Sequence, residues 1–314
     1  MFIGVDLGGT NIAAGLTDES GVILRRACVK TLSERGPEAV AKDIADICLN
    51  LCEQSGTDIS AVRWVGIGSP GAVDSAAGRV LNAYNLGFAD VPLADMVRAH
   101  LPDTKIHLEN DANAAALGET AAGGAKGYAS SVCVTLGTGI GGGIIIDGKI
   151  YTGFNGGAGE IGHHVIVADG VPCKCGRKGC WEQYASATGL IRLTKKTMDS
   201  APESLMWRLS REHGKVGGRT AFDAMRAGDA AGRAVVDEYL NYVAIGITNI
   251  IDILQPEAVC IGGGIAGEGQ PFLDALSPLV YGGVFKAGDK ATALRLATLG
   301  NDAGIIGAGF LGLD

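Results

Sequence analysis

The sequence predicts an α/β protein in which one unit is used twice. Val5-Asp6-Leu7-Gly8 near the start is echoed by Val134-Thr135-Leu136-Gly137. Each is followed by a glycine turn, a second strand pattern, an acidic turn (Asp18, then Asp147-Gly148) and a third strand. The chain has 314 residues, which favours two domains because single cores stop growing near this size.

The elements follow in order. FIGVDL, residues 2–7, reads as a strand entering a Gly-Gly turn, and the two strands after it meet at turn residues Asp18 to Gly21. Residues 37–54 place apolar side chains at 40, 44, 47 and 51, which is helical spacing. VRWVGIGSPGAVD is a strand running into a Gly-Ser-Pro-Gly turn. IHLENDANAAALGE is a strand and then an alanine-rich helix, with Asp111 at its start in a capping position. Residues 187–232 read as helices and loops, and 235–256 as a long helix closed by Pro256. EAVCIGGGIA is a strand into a triple glycine, and NDAGIIGAGFLGL a short terminal helix.

Composition narrows the function. Net charge is -8, which removes a general basic field for nucleic acid or an anionic membrane. No apolar run is long enough to span a bilayer, and the start carries no secretory pattern, so a cytoplasmic protein with reduced thiols is expected. Fifty glycines are about twice the usual share of roughly 7%, and they cluster beside strands, where backbone approaches a ligand or turns tightly.

Eight cysteines divide into two kinds. Cys28, Cys48, Cys52, Cys133 and Cys260 stand alone among apolar residues and read as small core side chains. Cys173, Cys175 and Cys180 lie together in CKCGRKGCWE, with His163 ahead of them. A disulfide leaves one thiol over, and a redox pair more often reads Cys-x-x-Cys. Four soft or borderline ligands suit tetrahedral, structural zinc. Spacing alone does not choose between His163 and His164.

Two glycine turns point to phosphate, since their backbone N–H groups can cradle an anion. One spans Gly8, Gly9, Thr10 and Asn11; the other is Gly137, Thr138 and Gly139. Asp6 beside the first turn could hold Mg²⁺ through waters. GTGIGG (137–142) spells a dinucleotide motif but leads into strand-like IIID and not a helix, and no P-loop signature occurs. Asp111 is either a helix cap or a general base for phosphoryl transfer, and the two roles are compatible. A metal at His163 and the cysteines would gather Glu160, His163 and Glu182 into a polyol clamp, the second imidazole nitrogen facing an outer partner.

These motifs, DLGGTN, GSPG, LENDANAAALGE, LGTGIGGG, GEIGH, CKCGRKGCWE and IGGGI, occur in an order that resembles the ROK family (repressors, open reading frames, sugar kinases) over essentially the whole chain. The resemblance is greatest to its glucokinases. It implies a two-lobed, actin-like ATPase fold of the sugar kinase/heat-shock chaperone/actin kind, with a duplicated βββαβα core and a central cleft. The implied small lobe is 1–115, completed by the C-terminal helix in 301–314; the larger lobe, 116–300, carries the zinc loop. The implied activity is ATP-dependent phosphorylation of a hexose 6-hydroxyl, with Asp111 as base. Gly71, Asn85, Asn110, Asp111, Glu160, His163 and Glu182 would bind sugar. Asp6, Gly8, Gly9, Thr10, Asn11, Gly137, Thr138, Gly139, Gly262, Gly263 and Gly264 would line the ATP and Mg²⁺ site. His163, in the family's G-E-x-G-H motif, would join Cys173, Cys175 and Cys180 on zinc. Homodimers or homotetramers are implied as well. Relatives often carry Trp near position 88, where this chain has Phe88. N-acetylglucosamine or N-acetylmannosamine phosphorylation is the alternative within the family. A sugar-responsive repressor is the rival class, disfavoured because the first phosphate motif begins at residue 6 and leaves no room for a helix-turn-helix.

Overall fold

The computed structural model describes residues 1–285 and 290–313. Its elements run β1 (Phe2–Leu7), β2 (Asn11–Thr17), β3 (Ile23–Lys30), α1 (Pro37–Gln54), β4 (Val65–Ser69), β5 (Ala72–Asp74), β6 (Arg79–Ala83), β7 (Phe88–Val91), α2 (Leu93–His100), β8 (Ile106–Asn110) and α3 (Asp111–Ala122). They continue with β9 (Ser131–Leu136), β10 (Ile140–Ile146), β11 (Lys149–Ile150), α4 (Glu182–Ala185), α5 (Ala187–Ser200), α6 (Leu205–Glu212), α7 (Thr220–Arg226) and α8 (Ala230–Leu254). Last come β12 (Ala258–Gly262), α9 (Gln270–Gly283), β13 (Ala293–Leu296) and α10 (Ala303–Phe310).

The duplication is plain in the sheets. One is ordered β3-β2-β1-β4-β8 and the other β11-β10-β9-β12-β13. Numbered within its own half, each reads 3-2-1-4-5. Each half carries the βββαβα order and extends it by one strand and one helix. The first half inserts a small antiparallel sheet, β5-β6-β7, and the second inserts α4 to α7.

Chain contacts divide the molecule into two units: 1–132, 143–159 and 298–314, and 133–142 with 160–297. The expected boundary at 115/116 falls inside α3, which stays with the first unit. Asp314, the end of the expected terminal segment, lies outside the described residues.

In the first unit the core is β-branched and leucine-rich: Ile3, Val5, Leu7, Ile12, Val65 and Ile67 lie in the sheet, with Val40, Ile44 and Leu51 of α1 against it. α10 packs backbone to backbone. A Cβ on Gly307 would sit 1.6 Å from the carbonyl oxygen of Ala114, and one on Gly118 2.4 Å from that of Ala303. Only glycine permits this approach of α10 to α3.

Two expectations are corrected here. Cys28 is exposed, because β3 is the edge strand of its sheet; Cys48, Cys52, Cys133 and Cys260 are buried as expected. Asp111 is not the cap of α3. Asn110 has the extended backbone of a cap, and its side chain accepts from the N–H groups of Ala112 and Asn113. Asp111 is the first helical residue.

Candidate functional site

In the first unit, parallel pairing aligns the ends of three strands. Asp6 pairs with Gly68, Gly68 with Glu109, and Ser69 with Asn110. Asp6, Glu109, Asn110 and Asp111 therefore gather at the carboxyl end of the parallel strands, where α/β folds place ligands.

The turn after β1 is tied back on both sides. Gly8 N–H donates to Asn11 O at 2.9 Å, and the Thr31 hydroxyl donates to Gly8 O at 2.6 Å. Gly9, Thr10 and Asn11 are exposed, and Lys30 Nζ donates to Asn11 Oδ1 at 3.0 Å. Asn85 stands against this turn, its Cβ 3.3 Å from where a Gly9 Cβ would lie. Asp6 is half-buried, and its carboxyl is pushed up to about 6, first by burial and then by the charge of Asp111.

Gly71 has φ +90°, and a Cβ there would lie 2.0 Å from Asn82 O, so the turn requires glycine. Its carbonyl accepts from Asn110 Nδ2 at 3.0 Å. Asp111 Oδ1 accepts from Ala112 N–H at 2.8 Å. Gly71, Asn110 and Asp111 thus form one connected corner. Glu109, which no motif singles out, is buried within it. It accepts from the Ser75 hydroxyl at 2.8 Å, Asn113 Nδ2 at 3.0 Å and Asn110 N–H at 2.9 Å. Its position next to Asn110 and Asp111 was the only available signal.

The second unit holds the ligand cluster. One ligand atom from each of His163, Cys173, Cys175 and Cys180 lies within 4.8 Å of all the others. Cys173 Sγ is 3.6 Å from His163 Nδ1, and Cys175 Sγ is 3.5 Å from Cys180 Sγ. Metal–ligand bonds of roughly 2.0–2.3 Å in a tetrahedron put ligand atoms about 3.6–3.8 Å apart, so the residues fit zinc. The loop is shaped by bridges of Val165 to Cys180 and Pro172 to Lys178, and by Cys173 N–H donating to Arg177 O at 2.8 Å. Hydrogen bonding, led by the backbone at Arg177, lowers the exposed Cys175 thiol to about 6, while burial pushes Cys180 up to about 12.

The choice between histidines is geometric. His163 turns Nδ1 to the thiols and Nε2 toward Glu160 Oε2, 3.8 Å away. His164 bonds through Nδ1 to Ile161 O and rests on Trp181, outside the cluster.

The loop leads into α4, which is hydrogen-bonded beside the second glycine turn. Glu182 follows Trp181 and starts α4, and its Oε2 accepts from Ile140 N–H at 3.0 Å. Gly137 O accepts from Ala187 N–H at 2.8 Å, and Thr138 O from the Thr188 hydroxyl at 2.7 Å. Ile265 N–H donates to Leu136 O at 3.2 Å, which brings Gly262, Gly263 and Gly264 beside Gly137. Glu160 is mostly exposed, its carboxylate directed to His163. The expected residues therefore fall into two sets, one in each unit.

Comparison with known proteins gives a consistent result. A glucokinase of Thermotoga maritima is 38% identical over 307 residues, covering 98% of this chain and 95% of the relative. A glucokinase of Halalkalibacterium halodurans is 36% identical, covering 99% and 94%. The crystal structure of a ROK family glucokinase from Streptomyces griseus, in complex with glucose and AMPPNP, superposes with a TM-score of 0.77 at 36% identity, covering 99% of this chain and 98% of that one. The ROK family profile matches residues 2–314. The corner at Asn110 and Asp111, the doubled glycine turns and the Cys₃His loop are thus the local structure of motifs that run the length of the chain, and the chain belongs to the ROK family.

Proposed function

We propose that this protein is an ATP-dependent hexose kinase that converts glucose to glucose 6-phosphate. The observation that carries the reading is Asp111 at the first helical position, beside a side chain that both caps the helix and reaches Gly71 O, in a chain 36–38% identical to proteins named glucokinase.

The Asp111 carboxylate takes the proton of the sugar 6-hydroxyl. The oxygen attacks the γ-phosphorus of ATP, the bond to the β–γ bridging oxygen breaks, and ADP leaves. Gly71, Asn85, Asn110, Glu160, Glu182 and the Nε2 side of His163, which faces Glu160, orient the sugar hydroxyls. Gly9, Thr10 and Asn11, Thr138 and Gly139, and Gly262, Gly263 and Gly264 line the nucleotide phosphates, while Gly8 and Gly137 shape the two turns by donating their N–H groups to Asn11 O and Gly139 O. Asp6 would hold Mg²⁺ through water, and a bound Mg²⁺ neutralises charge on the transferring phosphoryl group. Zinc on His163, Cys173, Cys175 and Cys180 would be structural, because the protein fills all four positions.

The reading extends to a cytoplasmic enzyme that forms homodimers or homotetramers, as the family resemblance implies. Light scattering of the purified chain tests the assembly against a 32.0 kDa monomer. The substrate is tested by ADP release with ATP and Mg²⁺ across glucose, mannose, fructose, N-acetylglucosamine and N-acetylmannosamine. We expect glucose to give the highest kcat/KM. Preference for an N-acetylated sugar would replace glucose and keep the mechanism, and silence on every sugar would overturn the kinase reading.

A further inference from the structure

We propose that Glu109 is a positioning residue that sets the sugar-facing corner of the first unit, a role that rests on the hexose kinase reading. Its carboxylate is buried, and among the described residues no ion pair reaches it. It is held by neutral donors alone. A buried carboxyl placed so needs a reason, because desolvation opposes it.

The reason lies in where the three donors lead. Asn110 N–H fixes the residue whose Nδ2 donates to Gly71 O. Asn113 Nδ2 fixes the first turn of α3, the turn that begins with Asp111. Ser75 fixes the end of β5, which starts directly after Gly71. Gly71 is therefore held from two directions, through Asn110 and through β5, and both paths meet at Glu109. Moving that corner by about 1 Å would misalign the 6-hydroxyl and the base, a displacement that costs on the order of 100-fold in rate.

The contacts also separate position from charge. In Glu109→Gln an amide oxygen at the Oε1 place still accepts from Asn110 N–H and Asn113 Nδ2. The amide NH₂ then faces Ser75 Oγ, whose hydroxyl rotates to accept. Glu109→Ala leaves Asn113 Nδ2 and Asn110 N–H without their acceptor.

The test is steady-state kinetics with ATP and Mg²⁺ against glucose, together with thermal unfolding. We expect Glu109→Ala to lose about 100-fold in kcat/KM for glucose while KM for ATP stays within about twofold. Glu109→Gln should lose only about threefold, and Ser75→Ala should raise KM for glucose about three- to tenfold with KM for ATP unmoved. Three results would overturn the proposal: full activity in Glu109→Ala, a Gln variant as impaired as the Ala variant, or a rise in KM for ATP as large as that for glucose. Should Glu109→Ala fail to fold, Ser75→Ala decides, and an unchanged glucose KM there refutes the role. A wild-type protein inert toward every sugar would instead remove the kinase reading, and this role with it.

Discussion

The corner around Asn110 and the loop around Cys173 both hold polar side chains in fixed places, and they do so by different means. The corner stands where strands end and a helix begins, so its backbone is already set by β4, β8 and α3. Hydrogen bonds to Glu109 need only aim the side chains. Residues 160–181 have little regular structure: one short 3-10 helix at Ile161–His163, tight turns closed by Gly170 N–H on Val167 O and Gly176 N–H on Cys173 O, and two isolated bridges. There a metal held by the four candidate ligands would add to the bridges in fixing the path of the chain itself. Loss of a hydrogen bond in the corner should spoil aim, whereas loss of a ligand in the loop should spoil shape.

The sharpest break of this comparison is Asp111→Ala. It should lower kcat about 10²–10⁴-fold, the range for general bases, with glucose binding retained in calorimetry and metal content unchanged. A loss below about tenfold would sink the assignment of the base.

Cys175→Ser tests the other side. We expect elemental analysis to fall from about one zinc per chain to almost none, with faster proteolysis between residues 160 and 182 and weaker glucose binding. Unchanged zinc content would refute the four-ligand set.

The smallest effect sharpens the role of Asp6. Burial and Asp111 raise its folded value to about 6, above the unfolded value of about 3.9. The group therefore costs nothing below about pH 4, and its cost grows as pH rises and is complete above about pH 6. Asp6→Asn should stabilise the ligand-free protein by roughly 1–2 kcal/mol at pH 7.5 and leave it unchanged at pH 4, read by urea unfolding. Equal gains at both pH values would show that charge is not the cause.

Much of this architecture was legible because motifs and elements coincide. The VDLG and VTLG echo foretold a unit used twice, and Cys spacing foretold the cluster. What escaped depends on partners distant in sequence. The strands β5, β6 and β7 are three to five residues long and show too little alternation to stand out. Cys28 looked like core because edge position is a property of the sheet and not of the strand. Asn110 and Asp111 are both good capping residues, and only the extended backbone at 110 decides between them. Glu109 acquires its role through Ser75, 34 residues away. Its own neighbourhood says nothing of that contact.

The glycine contacts of α10 bear on how the protein is made. The helix that opens with Asp111 rests on a partner separated from it in sequence by the whole of the second unit. On a ribosome, that face of α3 emerges long before α10 can cover it. A nascent chain thus carries Asp111 on an unfinished support until residues 303–310 have been made, and a closure between segments so far apart raises the contact order of the first unit and slows its folding. The helix that opens with Asp111 settles only when α10, translated after the whole of the second unit, has docked.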